Sequence, residues 1–117
     1  MIRILAPAML ALAPVAAQAG EPPALSLEQQ TALRCSAAFA IVSTLQGHGG
    51  AQEYPPLGER GREYFVRASA RIMDEAGLDR PAISAALQAE AEGLANTPGR
   101  LEQVMPSCLA LLDLSGV

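Results

Sequence analysis

Cys35 and Cys108 are the only cysteines in this chain and carry its most reactive side chains. No Cys-x-x-Cys spacing is present to tune a redox thiol, so the expected chemistry is oxidation to one structural disulfide rather than thiolate catalysis. Cys35 lies early and Cys108 late, so the bond closes nearly the whole folded region into a loop. In the chain-entropy treatment such a closure stabilises by about 4 to 4.5 kcal/mol.

His48 is the only histidine and sits in Gly47-His48-Gly49-Gly50, with Glu53 and Tyr54 a few residues on. As a general base it would make the chain a hydrolase or lyase. As a metal ligand it would stand alone once both cysteines are oxidised, and one nitrogen is too few for a transition-metal site. Nucleophile motifs such as Gly-x-Ser-x-Gly and the haem-attachment motif Cys-x-x-Cys-His are both missing. The simpler reading is an exposed loop histidine, and no catalytic residue, metal or cofactor is expected.

Arg60, Arg67 and Arg71 fall at i, i+7 and i+11 on one side of a predicted helix and can form a face for an anion or an acidic partner. Glu63 stands four residues before Arg67 and Glu75 four after Arg71, pairs that absorb the charge and read as a solvated face. Arg62 lies on a different side. The carboxylates Asp74, Glu75 and Asp79 straddle a helix junction without an Asp-x-Asp-x-Asp-Gly loop, so capping is expected rather than cation binding. Met73 and Met105 read as packing. The run Leu109, Leu111, Leu112 and Leu114 is more apolar than one helix face needs, which leaves a dimer contact or docking surface open beside burial on the first helix.

Residues 1–19 have the form of a cleavable secretory signal: Arg3, an apolar run from Ile4 to Ala17, and Ala17-Gln18-Ala19 as the cleavage site. Pro7, Pro14 and the short run argue against a membrane anchor. The chain is therefore expected to be exported, to the periplasm, with no transmembrane segment after cleavage. From Gly20 onward 98 residues remain, enough for one domain. They hold seven arginines, no lysine and twelve carboxylates, a net charge of −5, which argues against nucleic-acid binding.

The elements that must position these residues are all helical. Residues 20–26, with Pro22 and Pro23, form an extended leader before a single helical domain over 27–117. Ser26 and Gln29 make a capping box for a helix from Leu27 to about Gln46, ended by Gly47. Two apolar stripes run along it: Cys35, Ala38, Phe39 and Val42, then Leu33, Ala37, Ile41 and Leu45. Such width predicts packing on more than one side. A Gly- and Pro-rich loop follows to Pro56, then a helix from Leu57 or Gly58 to Ala76 with Leu57, Gly61, Tyr64, Phe65, Ala68 and Ile72 inward and Gly77 as C-cap. Asp79 and Pro81 start a third helix with Ile83, Leu87, Ala91 and Leu94 inward. Thr97 and Pro98 are expected to start a fourth, reaching about Asp113 and either kinked or split at Pro106.

With a cysteine in an Ala-rich first helix, Gly61-Arg62-Glu63-Tyr64-Phe65 opening the second and a cysteine in the last, the chain resembles small uncharacterised exported two-cysteine helical proteins of proteobacteria. That resemblance implies the class and no activity. Size and architecture are also those of helical periplasmic acid-stress chaperones, an analogy from architecture alone. The expected fold is all-α, a compact up-down four-helix bundle closed by Cys35–Cys108. The expected function is a non-enzymatic interaction or envelope-stress, chaperone-like module with a protein partner, as monomer or dimer; the alternative is a carrier of a small apolar ligand within the bundle.

Overall fold

A computed structural model describes residues 24–117; the expected signal sequence and the expected leader up to residue 23 lie outside the described residues. The described residues form four helices and no strand: α1 (Leu27–Gly47), α2 (Gly58–Ala76), α3 (Arg80–Asn96) and α4 (Arg100–Leu114). None is long and apolar enough to cross a membrane. Leu25, from the expected leader, is partly buried against the core, and its carbonyl accepts a bond from Gln30 Nε2.

Local chemistry sets most of the boundaries. Ser26 Oγ accepts the Gln29 N–H and Gln29 Oε1 accepts the Ser26 N–H, which satisfies two of the four free donors at the start of α1. Asp79 accepts the Ala82 N–H at the start of α3, where Pro81 needs no acceptor. Gly77 ends α2 at φ +66°, a left-handed conformation that costs glycine little.

Two expectations for α4 are corrected or resolved. Thr97 and Pro98 do not open it; they form a turn in which the Arg100 N–H bonds the Thr97 carbonyl, and α4 starts at Arg100 after Gly99 at φ +76°. Pro106 neither splits nor ends the helix. Pro106 and Glu102, whose carbonyl loses its donor, are both exposed, so water can take the missing bond.

The bundle is centred on α1, which packs against all three other helices, while the others meet one another far less. Burial on several sides demands a narrow helix. Ala32, Ser36, Ala37 and Ala38 supply the narrow positions, with Leu33, Phe39 and Val42 as the bulky ones, all buried. Ser36 Oγ donates to the Ala32 carbonyl, so its burial leaves no hydroxyl hydrogen unpaired.

Cys35 and Cys108 are disulfide-bonded with Cα atoms 5.1 Å apart, tying the middle of α1 to α4. The start of α1 and the end of α4 line one depression, so the two helices run antiparallel. Both cysteines are fully buried, which shields the bond from reductants while the fold is intact.

α1 and α2 approach each other closely in the core. Phe39 meets Tyr64 edge-to-face at 5.2 Å between ring centroids, and beside them Gly61 lies so near that a Cβ there would sit 2.9 Å from Phe39 Cβ. Gly58 has only Ser43 Oγ at 3.7 Å from the same construction. Gly61→Ala is therefore expected to lower stability by about 1–3 kcal/mol in urea denaturation through overpacking, despite alanine's better helix propensity. Gly58→Ala is expected to leave stability unchanged or raise it; equal effects at the two positions would contradict the close approach.

Candidate functional site

The broad apolar arc of α1 is only partly covered. Its first stripe, Cys35, Ala38, Phe39 and Val42, is fully buried. On the second, Leu33 and Ala37 are buried, Ile41 is half-buried and Leu45 is 43% exposed. The uncovered half is the floor of a groove of about 500 Å³ between α1 and α3, with Phe65 of α2 at one wall. From α1 come Ala37, Ala40, Ile41 and Thr44, and from α3 Ser84, Leu87, Gln88 and Ala91, each set at i, i+3, i+4 and i+7. No charged side chain lines it. Phe65 and Leu87, expected inside, are half-buried because they stand at this opening.

His48 is exposed, as the simpler reading has it. Its Nδ1 lies 2.9 Å from the Thr44 carbonyl, so Nδ1 carries a proton and donates. Among the described residues no carboxylate or hydroxyl is bonded to it, and no group of three or more His, Cys, Asp or Glu side chains is placed to hold a metal ion. Tyr54 is half-buried, and its phenol is held above the usual range by burial and then by the carboxylates of Glu53 and Glu102.

Gln46, which sequence reading passed over, organises this loop. Its Nε2 lies within hydrogen-bond reach of the carbonyls of Ala51, Tyr54 and Pro55, and its Oε1 accepts the Leu57 N–H at the entry to α2. One amide thus links α1, the loop and α2.

The three arginines of the expected anion or partner face differ in their commitments. Arg60 donates through Nε to the Val117 carbonyl and through Nη2 to Asp113, bridging α2 to the end of α4. Arg67 pairs with Glu63, while Arg71 approaches Glu75 only to 4.0 Å. Glu75 also accepts from Gln29 Nε2. A further pair, Arg34 with Glu90 at 3.2 Å, joins α1 to α3.

Arg71 lines a second depression, of about 630 Å³, where the start of α1 meets the end of α4. Its wall includes Tyr64, whose phenol is raised above the usual range by burial, an effect that the Arg71 charge opposes. Of the expected leucine run, Leu112 is buried, Leu109 and Leu111 are half-buried, and Leu114 is 83% exposed at this depression. Met105 is fully buried and Met73 partly.

Comparison with protein-family models, with curated proteins and with solved structures finds no match to this chain.

Gln46→Glu replaces a donor facing three carbonyls with an acceptor and is expected to free the loop between α1 and α2. Each bond so lost costs about 1–3 kcal/mol when the group stays buried. Limited proteolysis should then cut within residues 48–57 about tenfold faster than in the parent, by local opening. An unchanged cleavage rate would show that the loop is held by other contacts.

Proposed function

We propose that this chain is an exported, periplasmic, non-enzymatic interaction module that receives an apolar helical segment of a partner protein in the α1–α3 groove. The observation that carries the reading is the partly uncovered α1 face of Ala37, Ala40, Ile41 and Thr44, matched by Ser84, Leu87, Gln88 and Ala91 at the same spacing on α3. Two helices offering residues at i, i+3, i+4 and i+7 form the walls that an amphipathic helix uses for docking. Ala37, Ala40 and Ala91 let its backbone come close, while Ile41, Leu45, Phe65 and Leu87 supply apolar area. Thr44, Ser84 and Gln88 provide a thin polar edge, and the lack of charge favours the apolar face of the guest over its polar one.

The disulfide suits such a role outside the reducing cytosol, because it anchors α1, the central receiving helix, to α4 without a large core. A chaperone-like version of the same activity would receive exposed apolar helices of unfolding clients rather than one partner.

A photo-crosslinking residue at Gln88, introduced into the protein in its native host, is expected to give a discrete protein adduct. Leu45→Asp with Leu87→Asp should abolish that adduct without lowering the melting temperature by more than a few degrees, since both side chains are already partly exposed. No adduct at Gln88, or an adduct that survives both substitutions, would refute the groove as the docking site.

A further inference from the structure

The depression between the start of α1 and the end of α4 combines three features that the docking groove lacks. Two of the most exposed large apolar side chains, Leu27 at 78% and Leu114 at 83%, both line it, as does Leu111. Tyr64 is only 8% exposed as a residue and lines the depression. Among the described residues no hydrogen bond to its hydroxyl is found, and since the one sealed-in side-chain atom without a partner is Ser69 Oγ, that hydroxyl is reachable rather than buried. Arg71 stands on the same wall with its nearest carboxylate, Glu75, at 4.0 Å, the longest ion pair among the described residues.

A phenol hydroxyl and a guanidinium are both donors, so together they select an acceptor, and the guanidinium selects a negative one. Glu28 lies on the same rim and repels a second negative charge, favouring a monoanion over a phosphate dianion. The leucines call for an apolar body attached to that head, and a volume of about 630 Å³ lies within the usual range for a small-molecule site.

From this juxtaposition we infer that the depression binds an apolar monocarboxylate, a fatty-acid-like molecule. Its carboxylate accepts bonds from Tyr64 and Arg71, and its chain lies over Leu27, Leu111 and Leu114. Glu75 gives up little on release of Arg71, because it keeps the bond from Gln29. This site is separate from the α1–α3 groove and does not depend on the docking reading.

The probe is dodecanoate labelled with ¹³C at the carboxyl carbon, observed by NMR titration against the full folded domain, with dodecan-1-ol and dodecyl phosphate as controls. Saturable binding of dodecanoate in preference to both controls is expected. Arg71→Gln should weaken it about tenfold or more, and Tyr64→Phe several-fold, the loss for hydrogen bonds to a charged group. Tyr64→Phe should leave the melting temperature unchanged, since the hydroxyl bonds nothing in the fold, which keeps a folding defect apart from a binding one. Leu114→Asp should abolish binding, whereas Leu45→Asp in the other groove should not affect it. No saturation by about 1 mM, a Kd beyond the weakest useful range, would overturn the proposal. So would equal binding of dodecan-1-ol, or affinities unchanged by both Arg71→Gln and Tyr64→Phe.

Discussion

The fold depends on a helix narrow enough to be surrounded. α1 can touch α2, α3 and α4 together only because alanines and Ser36 occupy much of its circumference. Small side chains bring helices close, but they bury little apolar area each, and area is what stabilises a core. A domain of this size with two phenylalanines, two tyrosines and no tryptophan has few large groups to make up the difference. The covalent bond from Cys35 to Cys108 supplies it from the other side, by restricting the unfolded chain across a sequence separation of 73 residues.

That economy explains where the surface is left open. α1 is covered along the stripe of Cys35, Ala38, Phe39 and Val42, and it is only partly covered along Ile41 and Leu45. Of α3 only Ile83 and Leu94 are buried, so this helix meets α1 mainly through small and half-buried side chains, reinforced by Arg34 with Glu90. The groove is thus a consequence of a narrow central helix with a light third helix beside it. At the other end Leu27 and Leu114 are exposed because the first residue of α1 and the last of α4 overhang the core.

The cap at Ser26, the stop at Gly77 and the start at Asp79 were legible in the sequence because each is decided by chemistry within four residues. The start of α4 was not, because Thr97-Pro98 and Asp79-Arg80-Pro81 present similar local signals. Only the left-handed turn at Gly99 separates them. The disulfide followed from the cysteine count and from the lack of a Cys-x-x-Cys spacing. The spacing of α1 showed that two faces were apolar; which of them would lack a neighbour depends on how α2 and α3 dock, which periodicity does not encode. Gln46 looked like an ordinary polar residue at a helix end, and its bonds to the loop and Leu57 exist only after the chain has turned. Arg60 with Asp113 and Arg34 with Glu90 join residues more than fifty positions apart, beyond the reach of spacing rules.

If the bond between α1 and α4 compensates for a sparse core, its contribution must be a large share of the total stability. The direct measurement is the free energy of unfolding of the oxidised and fully reduced protein in urea, at one pH and temperature, with thiol accessibility followed in parallel. A loss of about 4 kcal/mol on reduction is expected, with the bond reduced only as fast as the domain unfolds. A loss below about 1 kcal/mol, or rapid reduction of the folded protein, would contradict the account, because the small residues of α1 would then be holding the bundle by packing alone.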